Sequence, residues 1–379
     1  MTDRVRPKIL LVAGARPNFM KIAPILMELE SRDFRTILVH TGQHYSPEMS
    51  DGIFSDLGIR QPEYNLGVGS GTHAQQTARV MESFEPVLRQ STPDWVVVVG
   101  DVNSTLACAL VTAKLKEETG ARLAHVEAGL RSGDWRMPEE INRVLTDRLS
   151  DLLLTPSLDA APNLLAEGIA ADKIVFVGNV MIDTLLTQLP RARSLNIPAR
   201  IGVETGKYVA VTLHRPSNVD SPQTLTPLLR ALREINKRLR VVFPLHPRTR
   251  KNIEELGLDG LLEGLITLPS AGYLEMLALA DSAAVVLTDS GGLQEETTVL
   301  GVQCITLRQQ TERPLTLTEG TNRMCPWPIT VEGLVRTFKE ARQSERVPVG
   351  SRCPTGWDGN AAKRIVDALV GVERSSPTL

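Results

Sequence analysis

Cysteine is scarce in this chain: four among 379 residues, Cys108, Cys304, Cys325 and Cys353, with no C-x-x-C pair. That spacing argues against a disulfide scaffold or a zinc ribbon and for core thiols. Long apolar runs are missing too. The first covers only Ile9 to Ala13, and none reaches the roughly 20 residues that span a bilayer. The N-terminus does not read as a signal peptide, so no membrane partner and a cytoplasmic location are expected. Charge of one sign is lacking, because the net charge is −2, and no basic field draws nucleic acid. Signature loops are absent as well. Gly14-Ala-Arg16 stands where a G-x-G-x-x-G would follow the first strand, and no Walker or H-E-x-x-H sequence occurs. A tightly held dinucleotide and a metal are not expected, and no cofactor is called for.

What is present is an ordinary globular composition, 42% hydrophobic and 23% charged, at a length suited to two domains. Short apolar runs alternate with helical patterns throughout. In the first half the strand candidates are 8–13, 35–40, 95–100, 122–126, 152–155 and 174–178, with helical patterns over 17–31, 73–90, 104–119 and 138–150. In the second half the strand candidates are 208–213, 240–245, 265–268, 283–288 and 302–307. Fully apolar strands between helices predict parallel sheets covered on both faces. The expected architecture is α/β, two doubly wound domains facing one another: residues 1–180, with a last helix over 360–379 returning to them, and residues 181–359. The proline-broken stretch 190–198 reads as a linker.

Ligands of such sheets bind beyond the carboxyl ends of the strands, so the residues there are the candidate site. They are Gly14-Ala-Arg16, Thr41-Gly-Gln-His44, Gly100-Asp101, Glu127-Ala-Gly-Leu-Arg131, His214-Arg215, His246-Pro-Arg248, Asp289-Ser290 and Arg308. In Asp289-Ser-Gly-Gly-Leu-Gln-Glu-Glu296, an apolar run, a small-residue turn and a helix start follow one another. The N–H groups of Ser290, Gly291 and Gly292 are expected to be free for an anion; the alternative is an ordinary capped helix. Arg16 and Lys21 flank the first helix start as mobile cations or as solvated ones. His214-Arg215 and His246-Pro-Arg248 suit neutralisation of a diphosphate, or are structural strand ends. Asp101, Glu127 and Glu139 bring carboxylates to one sheet edge, which favours acid–base chemistry over helix capping.

Taken in this order, these segments resemble the non-hydrolysing UDP-N-acetylglucosamine 2-epimerase family nearly end to end. The matching segments are Gly14-Ala-Arg-Pro-Asn-Phe-Met-Lys-Ile-Ala-Pro24, Thr41-Gly-Gln-His44, Gly100-Asp101, His125-Val-Glu-Ala-Gly-Leu-Arg131 and Pro138-Glu-Glu-Ile-Asn-Arg143. Later come His214-Arg215, His246-Pro247, Leu287 through Glu296 and Thr311-Glu-Arg-Pro314. The resemblance implies a GT-B-like pair of Rossmann-like domains with the site in the interdomain cleft, a homodimer, and conversion of UDP-GlcNAc to UDP-ManNAc for surface polysaccharide precursors. It implies that Arg16, Lys21, His214, Arg215, Arg313 and the Ser290–Gly292 amides hold the UDP-sugar diphosphate. Asp101, Glu127 and Glu139 would stand around the sugar, and Glu296 would hold the ribose.

Three departures from the family pattern stand out. Asn18 and Phe19 replace the Glu-Ala that often follows Arg-Pro, and mark a subgroup. Met276 falls where many members carry an aromatic that stacks on uracil. Gln43 and His246 match a regulatory second-substrate site, but Tyr45-Ser-Pro-Glu-Met49 and Gly69-Ser-Gly-Thr-His73 do not, so allosteric activation is not expected. The rivals are an epimerase of a 2,3-diacetamido glucuronate sugar, a hydrolysing 2-epimerase releasing ManNAc, a glycosyltransferase of the same fold, and a catalytically silent nucleotide-sugar sensor.

Overall fold

In the computed structural model, residues 6–43, 54–351 and 353–374 are described, without the side chains of Arg16 and of 372–374. His44, Tyr45-Ser-Pro-Glu-Met49 and the last five residues of the expected final helix lie outside the described residues. The chain forms two compact units, one of residues 1–184 with 355–379 and one of residues 185–354.

The first unit carries β1 (Lys8–Ala13), β2 (Arg35–His40), β3 (Tyr64–Asn65), β4 (Trp95–Val99), β5 (Arg122–Val126), β6 (Leu152–Thr155) and β7 (Ile174–Phe176). Their order in the sheet is β3-β2-β1-β4-β5-β6-β7, and neighbours run parallel. From β1 the chain steps across the sheet one way to β2 and β3 and then the other way from β4 onward, so the switch point falls between β1 and β4. Both faces are covered. Leu10, Val12, Val96 and Val98 alternate onto one face with Val80, Phe84 and Leu88 of the helix His73–Ser91. On this pleat the intervening Ile9, Leu11 and Val97 point the other way, and they are fully buried as well. That double burial is why the strands read as unbroken apolar runs. The helix Ala361–Arg374 packs against the helix Arg16–Ser31.

The second unit carries β8 (Tyr208–Thr212), β9 (Arg240–Pro244), β10 (Ile266–Leu268), β11 (Val285–Thr288), β12 (Gln303–Thr306) and β13 (Asn322–Met324). The order β10-β9-β8-β11-β12-β13, again all parallel, puts its switch point between β8 and β11. Val209, Val211, Phe243, Val285 and Leu287 pack with Leu225, Leu229 and Leu232 of the helix Pro222–Asn236 and with Phe338. Truncating any one of these to alanine costs about 2–5 kcal/mol.

The stretch 190–198 is not a linker. Pro190 lies inside the helix Val180–Ser194, and a left-handed Asn196 leads into the short helix Ile197–Arg200. Leu189, Ala192 and Ile197 are buried there, and this packing outweighs the hydrogen bond that proline removes. The helix expected over 104–119 breaks at Leu115 into Asn103–Lys114 and Lys116–Thr119.

Candidate active site

At the first switch point, the helix Arg16–Ser31 starts two residues after β1. Its entrance is occupied from within: Asn18 Oδ1 accepts from the Gly14 and Ala15 N–H groups at 3.1 and 2.9 Å, and Asn18 Nδ2 donates to the Val99 carbonyl at 3.1 Å. Phe19 is buried and meets the His40 and Phe54 rings edge-on at 5.0 and 4.9 Å. The two residues that depart from the family pattern therefore tie the helix to β4 and fill the core. Gly14 has no alternative, since a Cβ would come within 2.5 Å of Ser104 Oγ.

Lys21 does not stand as a solvated cation. Its ammonium pairs with the Glu127 carboxylate, and both side chains are only about one-tenth exposed. Glu127 follows β5 directly, in the left-handed region at φ 72, a conformation that costs a non-glycine residue roughly 1–2 kcal/mol. Gly100, at φ 66, sits against the pair: a Cβ there would lie 2.9 Å from Lys21 Nζ and 3.3 Å from Glu127 Oε2. Next to it, Asp101 pairs with Arg143, and its carbonyl accepts from Asn142 Nδ2 at 2.9 Å.

Arg143 and Asn142 belong to the helix Pro138–Leu149, which starts beside this turn. Of its two leading acids, Glu140 is buried. It accepts from Ser132 N–H at 3.0 Å, Gly133 N–H at 2.8 Å and Ser132 Oγ at 2.9 Å, and pairs with Arg143 at 2.8 Å. Burial works against its charge, but these donors hold its carboxyl below the usual range. Glu139 is half-buried. Sequence reasoning named Glu139 and missed Glu140, Asn142 and Arg143, although all lie in one quoted motif. An acid followed three residues later by arginine was the available signal. Gln43 is buried, and its side-chain oxygen accepts from Ser104 N–H at 3.1 Å and Ser104 Oγ at 2.8 Å.

At the second switch point, Asp289 is fully buried. It accepts from the N–H groups of His214 (3.0 Å) and Arg215 (2.9 Å), from Asn218 Nδ2 (3.0 Å) and from His214 Nδ1 (2.9 Å). Burial opposes its charge, yet the His214 ring and the backbone donors hold it below the ordinary carboxylate range. Asp289 thus organises the β8 turn. His214 and His246 follow adjacent strands with ring centroids 5.7 Å apart. Partial burial and the neighbouring His214 push His246 below the usual imidazole range, and its Nδ1 accepts from Arg248 N–H at 3.2 Å. Arg215 is half-buried, and its Nε finds no acceptor among the described residues.

The helix Gly291–Leu300 begins directly after β11 and the Asp289-Ser290 turn. The Ser290 N–H is not free, because it donates to Thr288 Oγ1 at 2.9 Å; the β-branched hydroxyl at the strand end reaches it first. Gly291 and Gly292 open the first turn, where N–H groups lack intrahelical acceptors and the helix dipole favours an anion. Arg313 pairs with Glu295 at 2.7 Å and Arg308 with Glu312 at 2.7 Å. Burial disfavours the Glu312 charge, but Arg313 and Arg308 bring its carboxyl down to about 2. Glu296 is buried on the same helix, and Met276 is half-buried on the helix Tyr273–Ser282. Among the described residues no cluster of three or more His, Cys, Asp or Glu is arranged to hold a metal ion. No described helix is long and apolar enough to cross a membrane.

Two Rossmann-like parallel-sheet domains, each with charged strand-end residues at its switch point, define the class: a GT-B-type α/β fold. Residues 27–370 match the family model for UDP-N-acetylglucosamine 2-epimerase. The chain is 40% identical to the UDP-N-acetylglucosamine 2-epimerase of Methanococcus maripaludis, over 97% of this chain and 99% of that protein. It is 46% identical to the UDP-2,3-diacetamido-2,3-dideoxy-D-glucuronate 2-epimerase of Pseudomonas aeruginosa, over 83% and 87%. The crystal structure of Methanocaldococcus jannaschii UDP-GlcNAc 2-epimerase, in complex with UDP-GlcNAc and UDP, superposes with a TM-score of 0.85 at 40% identity, over 96% of this chain and 99% of that one. The chain belongs to the UDP-N-acetylglucosamine 2-epimerase family.

Proposed function

We propose that the protein interconverts UDP-GlcNAc and UDP-ManNAc by eliminating UDP and adding it back. The observation that carries this reading is the set of carboxylates at the first switch point, with Asp101 on Arg143 and Glu127 on Lys21, in a chain of this family. The C2 proton of the substrate is not acidic, because no carbonyl adjoins it. Loss of UDP from C1 develops positive charge at C1 and makes that proton removable, giving a glycal. Re-addition of UDP with a proton delivered to the opposite face inverts C2. Asp101, Glu127 and Glu139 supply the proton chemistry. The Gly291 and Gly292 amides, with His214, Arg215, Arg313 and Arg16, hold the diphosphate as it leaves and returns. Glu296 holds the ribose and Met276 lies along the base. Lys21, paired to Glu127, orients that carboxylate and adds its charge to the leaving group. Because Tyr45–Met49 and Gly69–His73 depart from the regulatory pattern that Gln43 and His246 match, substrate kinetics should be hyperbolic.

The test is incubation in deuterated water with UDP-GlcNAc and, separately, with a UDP-2,3-diacetamido glucuronate. Deuterium at C2 in both UDP-GlcNAc and UDP-ManNAc supports the proposal. Free ManNAc with UDP identifies a hydrolase, and exchange confined to a UDP-2,3-diacetamido glucuronate assigns that substrate instead. No exchange with any of these sugars sinks the enzyme reading.

The product suits cytoplasmic assembly of surface polysaccharide precursors, and the working form is a homodimer. Trp135 is 62% exposed, and Ile141 and Leu145, one helical turn apart, are 39% and 44% exposed, an apolar face that a second copy would cover. Sedimentation of Leu145→Glu should then show monomers where the native chain shows dimers.

A further inference from the structure

We propose that His125 and Asp147 form a buried positioning pair that sets Asp101 and Glu127 in place; the proposal rests on the catalytic reading of those two carboxylates. Both side chains are fully buried at the base of the first switch point. His125, in β5, faces two acceptors: its Nδ1 lies 2.6 Å from Asp147 Oδ1, and its Nε2 lies 2.8 Å from the carbonyl oxygen of Gly100. A carbonyl only accepts, so Nε2–H donates to it and holds the peptide that joins Gly100 to Asp101. The other oxygen of Asp147 accepts from Gly129 N–H at 3.1 Å and pairs with Arg131 at 2.8 Å. Gly129 lies two residues beyond Glu127 on the same turn, and its carbonyl accepts from Asn163 Nδ2 at 2.9 Å. One carboxylate and one imidazole therefore fix the backbone on the far side of both candidate catalytic acids. Neither is placed to touch substrate.

Such buried polar pairs are costly unless every atom is used, and here each ring nitrogen and each carboxylate oxygen has a partner. Placement of an acid within a few tenths of an ångström governs proton transfer, and a shift of about 1 Å costs about 100-fold in rate. Helix Pro138–Leu149 carries both Asp147 and Arg143, the partner of Asp101. One rigid element thereby grips the Asp101 turn by its backbone through His125 and by its side chain through Arg143.

The experiment measures C2 deuterium exchange and UDP binding on full-length variants, with thermal melts to check folding. His125→Phe, which keeps the ring volume but cannot donate to Gly100, should lower kcat by about 100-fold with KM and UDP affinity within about 3-fold of native. His125→Gln, whose amide N–H reaches back toward that carbonyl, should recover roughly 10-fold of the loss. If His125→Phe does not fold, Asp147→Asn carries the test. It keeps the side-chain shape and leaves Nε2–H on Gly100, but it loses one acceptor, and kcat should fall about 10-fold at unchanged KM. A folded His125→Phe that exchanges within 3-fold of native overturns the proposal. So does a loss expressed in KM, or an Asp147→Asn within 2-fold of native in kcat. Asp101→Asn and Glu127→Gln run beside them: if those two retain exchange, the catalytic reading fails, whatever the pair does.

Discussion

The two units share the order of six strands, the first adding a seventh at its edge, and they surround the acids at their switch points differently. At each switch point an acid follows a buried strand, Asp101 after β4 and Asp289 after β11. Asp101 keeps a third of its side chain exposed and spends itself on one arginine, whereas Asp289 is wholly buried and saturated by four donors from His214, Arg215 and Asn218. In the first unit the helix start beside β1 is closed by Asn18. In the second unit the helix start after β11 is left to Gly291 and Gly292, while Glu295 and Glu312 are bound by arginines. An accessible acid is able to move protons; a saturated one only shapes a turn. Position in a Rossmann-like sheet selects where a ligand meets the chain, and the number of donors around each acid sets how much of it is left for a ligand.

The sharpest way to break this comparison is Asp101→Asn. Exchange should fall by about 10³-fold, within the range for removing a general acid or base, with UDP affinity nearly unchanged by isothermal titration; lost affinity with retained exchange would reverse the two roles. Next is Glu312→Gln. The folded-state carboxyl sits at about 2 against an ordinary 4.5, so its stabilisation is present above the ordinary value and is lost as pH falls toward 2. The variant should be less stable at neutral pH by on the order of 3 kcal/mol, and it should lack the acid-limb slope of the native chain. Urea titrations at several pH values read this directly, and parallel slopes in both proteins would count against it. Gly100→Ala sets a Cβ against Lys21 and Glu127 at a positive φ, and should cost roughly 2 kcal/mol in chemical denaturation together with lowered exchange. Smallest is Gly291→Ala. Its Cβ would come 3.2 Å from Glu312 Oε1, and UDP affinity should fall about 5-fold, or about 1 kcal/mol, with the exchange rate of bound substrate intact.

The fold was legible where burial on both faces made strands continuous. β1, β2, β5 and β6 begin and end where the apolar runs do. Tyr64–Asn65 and Asn322–Met324, short polar strands at two sheet edges, left no such run. Pro190 misled because its helix is held by side chains from elsewhere, a tertiary effect that local composition does not carry. Strand ends named the residues that collect at each switch point, but not who pairs with whom. Lys21 with Glu127 spans 106 positions and Arg143 with Asp101 spans 42. Partners so far apart are set by the sheet order, and periodicity does not reach them.

On the proton-transfer role proposed for Glu127, position 127 is where selection for folding and selection for turnover diverge. A left-handed turn at the end of β5 suits glycine or asparagine, and a design procedure that rewarded stability alone would write one of them there. The chain keeps glutamate at φ 72. A library randomised at this codon should therefore drift toward small residues under thermal challenge, and return to glutamate once growth depends on the sugar nucleotide.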